Sequence, residues 1–333
     1  MAIEPSVYSS LQFKAALVPE TTLGTANTTS MLLINLDSPV SITHNPAMFT
    51  GIRSGDGRIA KAADIYVSQY GQEKTISFSS LYTTDIAAKL FENLMGVTVG
   101  TSPASYNLPY NYTGPTCYHG KSLIDATGSL TFAHIVPEGN NTEIFPGCFI
   151  DELKVKADTA TDGGRFHFDV TMKTRYNAAI GQAAPSNPTA YGTTARKIYD
   201  LAGSSAICQI GGVDVVLESI ELNFKSNVQF YGFGVDGIPQ TMGRGIPEFE
   251  VTGIFGVKFD ANSVTNVAKF LGGTTVAIAM HNNNWSLATF GFKGDYAKIT
   301  SDLNIEEVKS GAFVKIPVKF TASTSGNVIQ VIP

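Results

Sequence analysis

The sequence predicts a mainly β protein built from sandwich- or barrel-like units, each with one packed α-helix, and duplicated along the chain. Three observations lead there. Apolar residues recur at every second position in many runs, as in Phe166, Phe168, Val170 and Met172 against His167, Asp169, Thr171 and Lys173, the period of a strand with one buried face. Helical period is confined to two short stretches, each ended by glycine. Those two stretches also repeat one arrangement. A β-run ending in Leu81-Tyr82-Thr83-Thr84 leads into a helix over 85–95 stopped by Gly96, and one ending in Val257-Lys258-Phe259-Asp260 leads into a helix over 263–271 stopped by Gly272-Gly273. Leu81 aligns with Val257 and Gly96 with Gly272, both at an offset of 176 (257 − 81 and 272 − 96).

Taken in order, residues 1–36 read as an arm, because Pro19, Gly24 and the Thr/Asn cluster at 25–30 interrupt regular structure. A first unit follows over 37–176. Val40 and Ile42 open it, a Gly/Asp/Arg-rich stretch at 49–58 makes a long loop, and a strand over 75–81 carries Ile76 and Phe78. In the first helix Ile86, Leu90 and Leu94 recur at fours beside Ala87 and Phe91, with Asp85 as N-cap and Gly96 as the left-handed stop. The stretch 97–128, rich in Pro, Tyr and Gly, is an irregular insertion. Strands return over 129–136, 149–157 and 166–174, with a turn at Asp162-Gly163-Gly164. Residues 177–212 read as a connecting segment.

The second unit spans 213–333. A strand over 219–225 alternates Ile220, Leu222 and Phe224 with Glu221, Asn223 and Lys225. A Gly-rich hairpin over 231–245 and a strand over 249–259 precede the second helix, where Val264, Val267, Ala268 and Leu271 form one stripe with Ser263 as cap. Strands near 274–281, 297–305 and 313–322 complete it. Late in the units Leu153 pairs with Leu303 and Phe168-Val170-Met172 with Ile316-Val318-Phe320, at offsets of 150 and 148.

Composition narrows the function. Only 15% of residues are charged against 43% apolar, where globular chains carry about 25% charged residues. Such a surface fits strands covered by neighbouring subunits, or a secreted β-protein with a polar exterior. The net charge of −5 and the lack of a basic run exclude sequence-specific nucleic-acid binding. Cys117, Cys148 and Cys208 are odd in number and lack metal spacing, so no zinc site or disulfide framework is expected. The first residues lack the basic and apolar regions of a signal peptide, and no 18-residue apolar run occurs. The expectation is synthesis in a cytoplasm without membrane insertion.

Catalytic signatures fail: there is no G-x-S-x-G, HExxH or Walker A pattern. His44, His167 and His281 are scattered and read as surface or turn residues, and Asp158-x-x-x-Asp162-Gly163 lacks the spacing of a calcium loop. No cofactor, metal site or enzymatic activity is expected. The glycines of 51–57 and 232–245 mark long hairpins in equivalent places, each with an arginine, Arg58 and Arg244. Inter-subunit ion pairing and plain solvent exposure are both open for these two.

Several segments stand out in order along nearly the whole chain: Val18-Pro-Glu-Thr-Thr-Leu-Gly-Thr25, Thr75-Ile-Ser-Phe-Ser79, Leu90-Phe-Glu-Asn-Leu-Met-Gly96 and Phe145-Pro-Gly-Cys-Phe-Ile-Asp-Glu-Leu-Lys154, then Leu217-Glu-Ser-Ile-Glu-Leu-Asn-Phe224 and Phe249-Glu-Val-Thr-Gly-Ile-Phe-Gly-Val-Lys-Phe259. In that order they resemble the tail tube proteins of long-tailed (siphovirus-type) bacteriophages in a two-copy form. The resemblance implies a structural virion protein that self-assembles into stacked rings, a hollow tube whose lumen is one β-barrel of strands from every unit. Genome DNA and a tape-measure protein pass through it, without specific binding of the DNA. A tail terminator and baseplate or tail-tip proteins are the other implied partners. Single-unit tube proteins close a ring with six units, so two units per chain imply a homotrimer of pseudo-sixfold symmetry. The competing arrangement is six chains with one copy lining the lumen. Glu221, Asn223, Glu250 and Thr252 are the lumen-facing candidates, in a channel expected to be neutral to acidic. The loops at 44–72 and 226–247, with Arg58 and Arg244, are the candidates for reaching an adjacent ring. The alternative class is a β-sandwich adhesin or carbohydrate-binding module, with Tyr106-Asn-Leu-Pro-Tyr-Asn-Tyr112 as its platform.

Overall fold

A computed structural model describes residues 13–50, 65–95, 105–109, 129–136, 141–185, 199–201, 207–226, 228–231, 241–244, 250–258, 265, 268–269, 272–283, 286, 288–300, 313–321 and 327–333. The first part of the chain forms β1 (Lys14–Pro19), β2 (Leu32–Leu33), β3 (Ser41–Thr50), β4 (Ile65–Leu81), α1 (Thr84–Met95), β5 (Tyr106–Pro109), β6 (Leu130–Ile135), β7 (Thr142–Asp158), the short α2 (Thr159–Asp162), β8 (His167–Thr174) and β9 (Ala179–Gln182). The rest forms β10 (Ile207–Ile210), β11 (Val213–Asp214), β12 (Leu217–Lys225), β13 (Val228–Tyr231), β14 (Thr241–Arg244), β15 (Glu250–Lys258), β16 (Val276–His281), β17 (Gly291–Ile299), β18 (Phe313–Thr321) and β19 (Asn327–Ile332).

One strand order occurs twice. In the first half β3 pairs with β4 (Ile42↔Ile76), β4 with β8 (Phe78↔Val170) and β8 with β7 (Leu153↔Val170). In the second half β12 pairs with β15 (Phe224↔Val251), β15 with β18 (Gly253↔Val318) and β18 with β17 (Ile299↔Val318). Between the halves β7 pairs with β12, Leu153 opposite Phe224. Four strands from each half therefore lie side by side in the order β3-β4-β8-β7-β12-β15-β18-β17, antiparallel throughout. The sheet is not closed.

The flanking strands repeat as well. The first part of β7 leaves this sheet to pair with β6 and β9, β6 pairs with β1, and β1 with β2. The first part of β17 likewise pairs with β16 and β19, β16 with β10, and β10 with β11. Regular structure thus begins inside the segment expected to be an arm, and β1 is buried over Ala15–Val18. The expected connector 177–212 likewise contains β9 and β10. Gly211 and Gly212 make the turn after β10, and strands of four residues carry too little alternation to register in sequence.

The pairing corrects the repeat by small slips. With Phe168 on Ile316, the partners put Ser80 on Phe255 and Phe78 on Gly253, an offset of 175 (255 − 80 and 253 − 78). The expected 176 would set half-buried Leu81 on fully buried Val257, and a one-residue slip exchanges the faces of a strand. By the same logic Leu153 corresponds to Ile299 (299 − 153 = 146) and not to Leu303, which lies outside the described residues.

Helix α1 opens at Thr84, one residue before the expected cap, with Asp85 in its first turn accepting from the Ile86 N–H at 2.9 Å. It buries Ile86, Ala87, Leu90, Phe91 and Leu94. Of the second helix Thr265, Ala268 and Lys269 are described and helical. Bonds from Gly272 N to Ala268 O (3.1 Å) and Thr274 N to Lys269 O (3.0 Å), with Gly273 at φ +64, close its end. The halves share one core. Phe91 of α1 meets Phe168 of its own half at 6.4 Å, and Phe224 and Phe292 of the other at 5.5 and 6.4 Å between ring centroids. Edge-on aromatic contacts of this kind add about 0.5–1.5 kcal/mol each beyond the area they bury, so the halves are energetically one body.

Candidate functional site: the polar face, open edges and ribbons of the long sheet

Alternation gives the long sheet one buried face and one polar face. On β12 the buried side is Ile220, Leu222 and Phe224, which turns Glu221 and Asn223 to the other side. On β15 the register sets Thr252 opposite Asn223 and Glu250 opposite Lys225. The structure therefore brings Glu221, Asn223, Glu250 and Thr252 together on a single face. Their neighbours were not named from sequence because they come from other strands. Lys154 of β7 pairs with Glu221 at 3.0 Å, Asn223 donates to Glu152 at 2.7 Å, and Lys319 of β18 pairs with Glu250 at 2.5 Å. The Glu221 hydrogen bond raises the Lys154 ammonium above its ordinary value, against the opposing effect of burial.

Further along, Asp169 accepts from Lys156 and Ser79, each at 2.6 Å. Burial alone would raise its carboxyl, but those bonds outweigh it and hold the group below the ordinary value. Carboxylates on this face thus sit against lysines, while Lys225, Lys298 and Lys315 stand exposed beside them. The face is charge-mixed and not acidic. Where β7 and β12 emerge, a cleft of about 640 Å³ is lined by Asp37, Asp158, Asp162, Arg165, His167 and Lys315 among others. His167 bridges it, with Asp37 at 2.7 Å on Nδ1 and Asp162 at 2.9 Å on Nε2.

Both predicted hairpins contain paired ribbon. Strands β3 and β4 continue past their sheet pairing from Ala47↔Ser68 to Thr50↔Ile65, and β13 and β14 pair from Val228↔Arg244 to Tyr231↔Thr241. In each, the returning strand gains three residues where ribbon leaves sheet. The pair sum drops from 118 (42 + 76) to 115 (47 + 68), and from 475 (220 + 255) to 472 (228 + 244). Arg244 is at the base of its ribbon, opposite Val228, with Gln69 as its counterpart at the 175 offset (244 − 175 = 69). Arg58 lies outside the described residues.

Three sequence segments that are far apart converge on the bend of β7. Gly147 turns there at φ +63 and lends its N–H to buried Glu20 at 2.7 Å. Asn93 of α1 accepts from Ile150 N at 2.9 Å. The ring of Tyr176 lies over Gly24 and Gly147, where an added Cβ would come within 2.0 and 2.2 Å of it. Glycine is required at both positions by the ring and by the left-handed backbone.

Among the described residues no helix is long and apolar enough to cross a membrane, and no group of three or more His, Cys, Asp or Glu could hold a metal ion. A family model described as phage tail tube protein matches residues 13–322. Among curated proteins none matches the chain.

Proposed function

The chain belongs to the phage tail tube protein family and so has a structural role in the virion, and from that premise we propose that it self-assembles, three chains to a ring, into the tube through which genome DNA is delivered. The observation that carries this reading is the repeated four-strand order joined side by side through β7 and β12. A chain that already sets two equivalent units edge to edge needs only to repeat that step to build a closed barrel, which also removes the sheet edges. In this reading the units are 37–176, with the insertion 97–128, and 213–333. Strands β1 and β2 join the first, and β10 and β11 the second.

The polar face carrying Glu221, Asn223, Glu250 and Thr252 lines the lumen. Its paired lysines and carboxylates limit the phosphate contacts that would otherwise hold DNA. The ribbons at 44–72 and 226–247 reach the next ring. A tape-measure protein inside, and a terminator and tip proteins at the ends, are the partners this architecture calls for, with assembly from subunits made in the host cytoplasm.

The adhesin reading finds no support in Tyr106, the described tyrosine of its platform. Tyr106 is 5% exposed and begins β5, which pairs with β19, while Tyr110 and Tyr112 lie outside the described residues. Negative-stain electron microscopy of the purified protein tests the proposal. Hollow filaments or uniform rings are expected, and a protein that stays a dispersed monomer at high concentration would overturn it.

A further inference from the structure

We propose that neighbouring chains join by pairing residues 298–300 of one with 41–43 of the next, Ile299 opposite Ile42, in a seam that lacks the ion pair of the seam within the chain. This rests on the ring reading above and adds the register and chemistry of its contact.

The internal seam is the template. Ser226 N donates to Asp151 O at 2.8 Å, and alternation from that pair makes Leu153 and Phe224 a hydrogen-bonded pair. The repeat offsets carry Leu153 to Ile299 and Phe224 to Ile42 (224 − 42 = 182, from Ile42↔Ile76 and Phe224↔Val251 at the 175 offset). The edges are prepared for that pairing. Thr300 N donates to Pro317 O at 3.1 Å, so alternation aims the N–H and C=O of Ile299 away from β18. On that side β16 pairs no further than Ala297. Among the described residues β3 pairs only with β4. Ile299 is 9% exposed and Ile42 packs against the same core, so joining them continues the buried face without a break.

The flanking chemistry differs between the seams. Inside the chain Lys154 holds Glu221 and Asn223 holds Glu152. The counterparts are Thr300 (154 + 146), Pro39 (221 − 182), Ser41 (223 − 182) and Lys298 (152 + 146). No carboxylate lies among them, so the alignment of Ile299 with Ile42 must set the register, since a slip of one residue would turn both outward.

Cysteine cross-linking tests this. Thr43 and Lys298 are exposed and fall opposite one another at a non-hydrogen-bonded position, where Cα atoms lie about 4.5 Å apart, within the ~4.4–6.8 Å that a disulfide spans. In protein shown by microscopy to be assembled, oxidised Thr43→Cys/Lys298→Cys should run mainly as covalent trimer. Ser41→Cys/Thr300→Cys should do the same, and each single variant should stay one chain, which controls for Cys117, Cys148 and Cys208. Rings or tubes that form but leave both double variants uncross-linked would overturn the register while leaving the ring reading standing. So would preferential cross-linking of Thr43→Cys with Tyr296→Cys. A wild-type chain that never assembles would overturn both.

Discussion

Glu20 joins three elements through one carboxylate. It is 3% exposed and accepts from Gly24 N, Ser129 Oγ, Thr131 Oγ1 and Gly147 N at 2.9, 2.6, 2.9 and 2.7 Å. Hydrogen bonds to a charged group contribute about 1.5–3 kcal/mol each, and donors left unpaired in the interior add a cost. Glu20→Ala should therefore lose roughly 3 kcal/mol or more in denaturant unfolding. A loss under about 1 kcal/mol would show that its partners find substitutes. The segment Val18–Thr25 stood out in the sequence, but this role did not, because Ser129, Thr131 and Gly147 are 109, 111 and 127 residues away. Asp169 gives a pH signature. Its depressed carboxyl stabilises the fold above the pKa of the unfolded chain, near 4, and that contribution is lost as pH falls through the lower folded value. The stability gap between the protein and Asp169→Asn should be present at neutral pH and close below about pH 4. A gap that does not vary with pH would refute the assignment.

At the scale of elements, long alternating strands were legible and short ones were not. The alternation of β8, β12 and β15 shows in their sequences because each buries one face. Strands β1, β9 and β10 fall within the expected arm and connector, since an almost wholly buried run such as Ala15–Val18 has no alternation to show. Period alone showed that Glu221 and Asn223 share one side of their strand and Glu250 and Thr252 one side of theirs, whereas bringing the four to a common face, and finding their lysine partners, required the pairing of the strands. The ribbons are the sharpest case. Their glycines marked long hairpins, and the described parts of both are paired strands that leave the sheet by the same three-residue step. Replacing 226–247 by a tight turn should preserve the far-ultraviolet circular dichroism of the subunit and abolish its polymerisation into tubes. Ordinary tubes from that variant would show that the ribbon has no part in stacking.

Among the described residues the molecule is a pair of equivalent four-strand sets joined edge to edge, sharing an aromatic core, with β3 pairing only with β4 and the last residues of β17 only with β18. That construction predicts a ring of three chains and six units whose true symmetry is threefold, because the halves differ in sequence and only the first carries the 97–128 insertion. The duplication was visible in the sequence through its helices, while the seam between the copies was not, since β7 and β12 belong to different units and the 58 residues 159–216 separate them. The proposed closure is heterologous, the end of β17 against β3 of the next chain, and such contacts close into rings when the rotation permits. The mass of isolated rings, read together with the symmetry of averaged end-on views, tests this most directly. The account predicts three chains per ring and threefold symmetry with a pseudo-sixfold lumen. Six chains per ring, with only one half of each lining the channel, would contradict it.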